Sequence, residues 1–232
     1  MKRILLIPAY NEATRIAAVL DRVARALPDY DVVVVDDGSS DDTGEVARAA
    51  GARVVRHPFN LGYGAALQTG YKLAVRMGAE LVVQMDADGQ HDPAHASTLA
   101  EPVMAGELDL VIGSRFLGVG EYQMDPLRRA GRRLFQNIVR AFGLRVTDPT
   151  SGYQALSRAV LELYVGDSFP SDFPDVDVLL VAHRHGLRIG ERPVRMEASP
   201  RTSTLHAGLA PIYYVYKMLL SIWAASSRPA RE

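Results

Sequence analysis

The first half of the chain alternates short, uninterrupted apolar runs with longer segments that repeat apolar residues at helical spacing. A run that is apolar at every position predicts a strand buried on both faces, as in a parallel sheet covered by helices. The rhythm therefore predicts an α/β fold with a mostly parallel sheet flanked by helices. The predicted strands are Arg3–Ile7, Asp31–Val35, Arg53–Arg56, Leu81–Met85 and Leu108–Gly113, and the predicted helices are Thr14–Ala26, Asp42–Ala50, Ala65–Met77 and His95–Ala105.

The second half, from about Phe116, is less regular. Leu127–Phe142 predicts an amphipathic helix with arginines along one face and apolar residues along the other. A further helix is predicted at Val176–His185, a last strand at Arg188–Met196, and a helix that is apolar almost all round at Ile212–Ala225. The chain is therefore predicted to end in helices with exposed apolar or basic faces.

The 232 residues suffice for one large domain. We expect a single domain over residues 1–226, with two halves that meet after residue 115, and a tail at 227–232. The net charge of −1 gives no reason to expect a nucleic acid partner, and the lack of cysteine excludes disulfides and thiolate chemistry. The N-terminal apolar run is too short for a signal peptide, and no segment reaches the ~20 apolar residues of a spanning helix, so we expect a cytoplasmic protein.

Two carboxylates follow the predicted strand that ends at Met85. Asp86 and Asp88 are spaced i, i+2, so their side chains share one face of an extended chain. Such a pair repels itself unless a cation lies between the carboxylates, and Mg²⁺ often binds through one or two carboxylates plus substrate phosphates. The pair therefore indicates a metal-assisted site for a nucleotide diphosphate, although a solvated Asp-Ala-Asp-Gly turn fits the same four residues when they are taken alone.

Polar motifs also follow the other predicted strands, at the edge where open α/β sheets bind ligands. Tyr10 can stack on a base, Glu12 can accept hydrogen bonds from a base or ribose, and Asp37 is our choice for a further ligand contact. Arg115 suits a bidentate contact with phosphate, and a surface salt bridge explains it equally well. Each of these motifs also fits a turn or a helix entry when it is considered alone.

Two loops offer glycines. The segment around Gly62 and Gly64 lacks the third glycine and the lysine of phosphate-binding loops, so close packing against the sheet is the favoured interpretation of these glycines. The loop Thr147–Gly152 offers hydroxyls and a glycine for a phosphate oxygen, and the arginines before it favour an anionic acceptor nearby. His91 stands beside the carboxylate pair and can be a metal ligand, but the favoured interpretation is that it lines the acceptor side or supports the structure.

Six motifs stand in a familiar order: Pro8-Ala9-Tyr10-Asn11-Glu12, Val35-Asp36-Asp37-Gly38-Ser39, Asn60-Leu61-Gly62, Asp86-Ala87-Asp88-Gly89-Gln90-His91, Gly113-Ser114-Arg115 and Thr150-Ser151-Gly152. Together they resemble the family 2 glycosyltransferases of the GT-A fold, which is Rossmann-like and binds nucleotides. The resemblance is strongest to the branch of dolichyl- or polyprenyl-phosphate mannosyl- and glucosyltransferases, and it runs from residue 3 to about residue 196. It implies a nucleotide-sugar-binding half at 1–115 and an acceptor half with a C-terminal helix at 116–226.

The resemblance also implies a role for each site residue. The nucleoside would be held by Pro8, Tyr10, Glu12, Val35 and Asp37, and the donor diphosphate would be met by Asp86, Ala87 and Asp88. A Mg²⁺ or Mn²⁺ ion would have Asp86, Asp88 and Gln90 as ligands. The donor or acceptor phosphate would contact Arg115, and the lipid phosphate would face Arg129, Ser151 and Gly152. Catalysis would rest on Asp86, Asp88, Arg115 and Arg129.

The reaction implied is an inverting, metal-dependent transfer of a hexose from a nucleotide-sugar of the GDP-mannose or UDP-glucose type to a polyprenyl phosphate. The acceptor phosphate is already ionised near pH 7, since its second pKa is ~6, and needs no general base. A hydroxyl acceptor would need one, for which Asp148 and Asp177 are the candidates. The alternatives are a family 2 enzyme with a sugar or polysaccharide hydroxyl as acceptor, and a non-catalytic sugar-nucleotide-binding subunit.

The partners implied lie at a membrane. The basic helix and the aromatic residues of the last helix, Tyr213, Tyr214, Tyr216 and Trp223, favour attachment to the inner face of the cell membrane or to a small membrane protein. A homodimer through the last helix is a further alternative. One departure from the family concerns the late Arg-x-x-Gly-x-Ser loop that closes on the diphosphate. Here it appears only as Ala198–Ser203, where Arg201 would have to replace the family's arginine.

Overall fold

The computed structural model describes residues 1–118, 126–167, 169–196 and 210–227, without the side chains of 126–128, 210–214 and 224–227. Several residues named above lie outside this description: the closing-loop residues 198–203 with Arg201, and the side chains of Tyr213 and Tyr214; the side chain of Arg128, one of the arginines of the predicted basic face, lies outside it as well.

Strands and helices alternate through most of the described chain. The strands are β1 (Arg3–Ala9), β2 (Asp31–Asp36), β3 (Arg53–Arg56), β4 (Leu81–Gln84), β5 (Leu110–Ser114), β6 (Gln154–Ser157) and β7 (Ile189–Pro193). The helices are α1 (Ala13–Ala26), α2 (Thr43–Ala49), α3 (Tyr63–Arg76), α4 (Ala96–Met104), α5 (Pro126–Ala141), α6 (Arg158–Tyr164), α7 (Val176–Arg184) and α8 (Ala210–Ser227), and a 3-10 turn covers Pro93–His95.

The seven strands form one sheet in the order β3-β2-β1-β4-β6-β5-β7. Strand β6 runs antiparallel to both of its neighbours, and every other pairing is parallel. Side chains alternate between the two faces of β1: Ile4 and Leu6 pack with α3 and α5–α8, whereas Leu5 and Ile7 pack with α1, α2 and α4. The predicted α/β fold with a mostly parallel, doubly covered sheet is confirmed.

Strand β6 and helix α6 have no counterpart in the prediction. The four residues of β6 are too few and too mixed in polarity for a clear period, and the strand forms because Gln154 pairs with both Gln84 of β4 and Ile112 of β5. The last predicted strand is also shorter than expected, because beyond Pro193 only Met196 pairs again, in an isolated bridge to His91.

Helices α5 and α8 both pack against α7. Helix α5 buries Phe135 and Val139, but Leu134 and the residue after the helix, Phe142, are about 40% exposed, so the buried stripe is narrower than the sequence suggests. Helix α8 buries Met218 and exposes Tyr216, Leu219, Leu220 and Trp223, and the last of these is 67% exposed. Within the described residues, no helix combines the length and the apolar character that crossing a membrane requires.

Candidate active site

The chemistry-bearing loops meet at one edge of the sheet. The carboxyl ends of β1, β2, β4 and β5 point to this edge, and antiparallel β6 begins there. In register, Leu6 of β1 pairs with Gln84 of β4, which pairs with Gln154 of β6. The residues after β4 are therefore flanked by the loop after β1 and by the loop that leads into β6. The charges of Asp86, Arg115 and Asp148 all act on buried His91, which shows how close the predicted groups lie.

The carboxylate pair lies at the centre of this edge. The phenol of Tyr63 donates to Asp86 Oδ1 over 3.0 Å, and the Asp86 side chain keeps 34% of its surface exposed. Asp88 Oδ1 accepts the backbone N–H of Gln90 at 3.0 Å. Burial, and then the neighbouring charge of Asp86, raise the pKa of Asp88 to about 6. The protein thus leaves the negative charge of this pair largely uncompensated.

This donor set fits a hard divalent cation. Oxygen ligands from two crowded carboxylates, with the amide oxygen of Gln90 nearby in sequence, are what Mg²⁺ and Mn²⁺ accept. Across the part of the chain that the structure describes, no cluster of three or more acidic, histidine or cysteine residues could cage an ion alone. An ion held by Asp86 and Asp88 would therefore take its remaining ligands from phosphate oxygens and water, as Mg²⁺ commonly does beside nucleotides.

His91 supports the carboxylate loop from below. Its ring is 2% exposed and stacks on Tyr153 at 4.8 Å between ring centres. Its Nδ1 accepts the backbone N–H of Asp86 at 3.4 Å, and its Nε2 lies 3.8 Å from Asp86 Oδ2. Burial lowers the pKa of His91, so the ring stays neutral near pH 7. These contacts agree with a supporting role for this histidine.

The loops after β1 and β2 are cross-linked into a rigid platform. Asn11 has a φ of +56°, a conformation that asparagine tolerates, and its Oδ1 accepts the N–H of Ser40 at 2.8 Å. The N–H of Glu12 donates to Thr43 Oγ1 at 2.8 Å, and the Glu12 carboxylate pairs with Arg15 at 2.7 Å. On this platform Tyr10 remains 47% exposed, which leaves its ring open for stacking.

Pro8 and Val35 are neighbours in the sheet below that platform. They pair in register on β1 and β2, and both are buried. Any contact they make with a nucleoside has to come from the strand ends rather than from long side chains. Their contact with a nucleoside stays a prediction.

Asp37 is enclosed rather than open. Its carboxylate is 3% exposed and accepts the N–H groups of Leu61 and Gly62 at 2.9 Å each, together with the His57 ring at 2.7 Å. The sequence analysis missed His57 as its partner, because the two residues are 20 positions apart and share no motif. Asp37 thereby ties the loop before α3 to the end of β2, and its contact with a donor stays a prediction.

The glycines before α3 close the amino end of that helix. The N–H groups of Gly64 and Ala65 donate to the carbonyls of Asp172 and Ser171 at 3.2 and 3.0 Å. A Cβ at Gly64 would collide with the carbonyl of Pro170, so glycine is needed for this approach. The interpretation of these glycines as packing residues is right in kind, but they pack against the 170–172 loop instead of the sheet. These N–H groups are therefore not available to a phosphate.

Arg115 belongs to a buried ion pair at the end of β5. Its Nε and Nη2 each donate to the Asp148 carboxylate at 2.6 Å, and its backbone N–H adds a third bond at 3.1 Å. Asp148 is fully buried, whereas 16% of the Arg115 side chain is exposed. The Glu191 carboxylate in turn accepts the N–H groups of Thr147 and Asp148 at 2.7 and 2.9 Å. Sequence reasoning missed Glu191, because a carboxylate inside a strand carries no motif.

The remaining predicted residues are spread around this centre. Gly152 lies against the carboxylate pair, where an added Cβ would be 3.3 Å from Asp86 Oδ2. Ser151 points into the sheet and donates to the carbonyl of Gly113 at 2.7 Å. Arg129 is exposed near the start of α5, and Ala87 is buried between the two aspartates. Asp177 is buried where α7 packs on α8, and the Ser221 hydroxyl donates to it. Its carboxylate is therefore not accessible as a general base.

Comparison with known proteins places this architecture in a family. The family model described as "Glycosyl transferase family 2" matches residues 4–164. The chain belongs to the family 2 glycosyltransferases. It is 36% identical to polyprenol monophosphomannose synthase of Mycolicibacterium smegmatis, over 83% of this chain and 76% of that protein. It is also 36% identical to undecaprenyl-phosphate mannosyltransferase of Micrococcus luteus, over 84% of this chain and 83% of that protein.

Solved structures share the fold of this glycosyltransferase. Glucosyl-3-phosphoglycerate synthase of Mycobacterium tuberculosis, in complex with Mn²⁺, UDP-glucose and phosphoglyceric acid, superimposes with a TM-score of 0.74 at 22% identity. The match covers 98% of this chain and 80% of that one. At this identity the likeness establishes the GT-A fold and nothing about substrates.

Proposed function

We propose that this glycosyltransferase moves a hexose from a nucleotide-sugar to a polyprenyl phosphate, with inversion at the anomeric carbon. The observation that carries the proposal is the pair Asp86 and Asp88, whose charge the protein leaves uncompensated at the edge of the sheet where the donor loops meet. A site of this kind suits a substrate that brings both a cation and a diphosphate. We treat residues 1–226 as one domain, since the sheet runs unbroken from the donor strands to β5, β6 and β7.

On the donor side, Tyr10 and Glu12 would hold the nucleoside above Pro8 and Val35. Asp86, Asp88 and Gln90 would hold Mg²⁺ or Mn²⁺, which when bound neutralises the departing diphosphate. The mannose named in two relatives supports a donor that carries mannose. The exposed ring of Tyr10 supports a base stacked at that position.

On the acceptor side, the surroundings of Asp148 and Asp177 favour a phosphate over a hydroxyl nucleophile. The Asp148 carboxylate accepts two hydrogen bonds from Arg115, and Asp177 is enclosed between helices, so neither candidate base has an open carboxylate. An ionised phosphate attacks without proton removal, so it needs no such group. Arg115, oriented by Asp148, would receive the incoming phosphate with its remaining donors, and Arg129 would face the lipid side.

We further propose that α5 and α8 hold the enzyme at the inner face of the cell membrane. Helix α5 exposes Arg129, Arg133 and Leu134, and α8 exposes Leu219 and Trp223, while both helices pack on the same neighbour, α7. Basic and apolar groups of this kind suit anionic headgroups and the interfacial region of a bilayer.

Flotation with anionic vesicles tests the membrane proposal. The double variant Leu219→Ser/Trp223→Ser should bind at least about tenfold more weakly, because each deleted apolar side chain is worth about 1.5 kcal/mol when buried. The matched control is Met104→Ser, on α4 at the opposite face of the sheet. Equal binding by the wild type and the double variant would exclude α8 as the contact.

The transfer itself is tested with GDP-mannose and UDP-glucose, each offered with undecaprenyl phosphate in detergent and with Mn²⁺, Mg²⁺ or EDTA. We expect a lipid-linked sugar phosphate that mild acid cleaves, formed with one of the two donors and lost in EDTA. Transfer to sugar or glycan hydroxyls, with none to the lipid phosphate, would establish the hydroxyl-acceptor alternative. Metal-independent binding without turnover on any acceptor would contradict the transferase mechanism.

A further inference from the structure

The phenol of Tyr63 lies beside the proposed metal ligand Asp86. Its hydroxyl donates to Asp86 Oδ1 over 3.0 Å, while Asp86 Oδ2 lies 3.8 Å from His91 Nε2 and 34% of the Asp86 side chain remains exposed. Tyr63 appears in none of the six motifs of the sequence analysis; it lies between Gly62 and Gly64 as the first residue of α3. The bond to Asp86 links the donor-side loop of α3 to the carboxylate pair after β4.

The position of Tyr63 is fixed by three independent contacts around it. The N–H of Gly62 donates to Asp37 at 2.9 Å, and the N–H groups of Gly64 and Ala65 donate to the carbonyls of the 170–172 loop. Gly62 itself has a φ of +102°, which sets the angle at which α3 begins. Tyr63 therefore approaches Asp86 from a rigid support rather than from a free loop.

Space around the hydroxyl is reserved by Gly152. A Cβ at this position would lie 2.9 Å from the Tyr63 hydroxyl and 3.3 Å from Asp86 Oδ2. A side chain here would therefore force the Tyr63 hydroxyl out of its present position. The loop that leads into β6 thus accommodates the pair by having a residue without a side chain.

The charge of the hydrogen-bond donor matters as much as its position. Two carboxylates at this edge accept hydrogen bonds from different kinds of side chain: the cation Arg115 neutralises Asp148, whereas the neutral phenol of Tyr63 orients Asp86 and leaves its charge intact. A guanidinium beside Asp86 would compete with a cation, and a phenol does not. Neutral hydrogen bonds to metal-ligating carboxylates typically set their orientation and the affinity for the metal.

We infer that Tyr63 is a positioning residue for the divalent cation of this enzyme: it holds Asp86 in the orientation that the cation binds, through a neutral hydrogen bond. This inference rests on the metal site of the proposed function. It makes Tyr63 a determinant of metal affinity and assigns it no contact with the sugar or the acceptor.

The test is a Mn²⁺ titration of Tyr63→Phe, followed through the electron paramagnetic resonance signal of free Mn²⁺ at fixed GDP and, in parallel, at fixed UDP. We expect the Kd for Mn²⁺ to rise about tenfold, in the usual range for the loss of a bond to a metal ligand. The Mn²⁺ concentration for half-maximal turnover should rise in parallel, while kcat at saturating Mn²⁺ stays within about threefold of the wild-type value. Tyr216→Phe makes the same chemical change on the exposed face of α8 and should leave both values unchanged.

A second variant separates positioning from a role in folding. Gly152→Ala keeps the phenol but displaces its hydroxyl, because an alanine Cβ would lie 2.9 Å from it, so this variant should raise the Kd for Mn²⁺ as well. A Tyr63→Phe enzyme that binds Mn²⁺ within twofold of the wild-type Kd overturns the inference, and so does a Gly152→Ala enzyme with unchanged Mn²⁺ affinity. A wild-type protein that retains no Mn²⁺ with either nucleotide overturns the metal site itself, and the inference with it.

Discussion

The uncompensated charge of the carboxylate pair should cost the metal-free protein stability. A pKa of about 6 for Asp88 in place of 3.8 corresponds to about 3 kcal/mol of disfavoured ionisation above pH 7. Asp88 is partly exposed, so screening by solvent reduces the expected effect to about 1–2 kcal/mol. Asp88→Asn removes the charge and nearly keeps the volume, so this variant should be more stable than the wild type by that amount at pH 8 in EDTA.

The pH dependence of this gain has a definite sign. The folded pKa of Asp88 lies above the unfolded one, so protonation stabilises the wild type as the pH falls through about 6, and this contribution is lost as the pH rises. Between pH 8 and pH 5 the wild type should therefore recover about 1 kcal/mol relative to Asp88→Asn. Urea unfolding at both pH values measures the free energies of unfolding, with Asp29→Asn, an exposed carboxylate, as the charge-matched control.

Metal should reverse the order of stability. Mn²⁺ with a nucleoside diphosphate stabilises only a protein that binds it, so the wild type should overtake Asp88→Asn once the ligand is in excess. The reasoning is refuted if Asp88→Asn is less stable than the wild type at pH 8 in EDTA. It is also refuted if the gap between the two proteins is the same at pH 5 and at pH 8.

Two further substitutions test the supports of the site. Asp148→Asn leaves the charge of Arg115 without its buried partner. Urea unfolding should show a loss of about 3 kcal/mol in the free energy of unfolding, and steady-state kinetics a fall in kcat of about 100-fold. A loss of stability below about 1 kcal/mol would mean that water replaces Asp148 as the partner of Arg115. Gly64→Ala should cost at least about 2 kcal/mol, because its Cβ meets the carbonyls of the 170–172 loop, whereas Gly131→Ala, which meets nothing within 4 Å in α5, should be neutral or stabilising. Equal stability of the two alanine variants would show that the 170–172 loop does not close the end of α3.

The sequence predicts the parts of this enzyme that follow local rules. Strands β1, β2 and β4 are buried on both faces, so their apolar runs reveal them, and the loops after them reveal the edge where the site lies. Strand β6 escapes because its pairing with β4 and β5 comes from tertiary contacts and not from periodicity. The motifs indicate candidate site residues, but they do not indicate the partners that hold those residues in place.

The partners of the site residues cannot be predicted from the sequence for one shared physical reason. Tyr63, His57 and Glu191 act through bonds to residues more than 19 positions away, and each lies in a segment whose local pattern already has a sufficient structural explanation. Asp37 shows the converse: its motif predicts a ligand contact, whereas its burial and its three hydrogen-bond partners, which spacing cannot reveal, give it a structural role as well.

The reversed direction of β6 has a consequence for how such enzymes diversify. In the described part of the sheet, β3, β2, β1 and β4 lie on one side and β6, β5 and β7 on the other, joined through the β4–β6 ladder from Leu81–Ser157 to Gln84–Gln154. Asp86 and Asp88 follow β4 at the end of this seam. A recombinant that changes parent after residue 115 keeps β5 with the first half, so it would have to preserve the β5–β6 and β5–β7 ladders as well as the β4–β6 ladder. The second half of such a recombinant could therefore vary freely only outside β6 and β7.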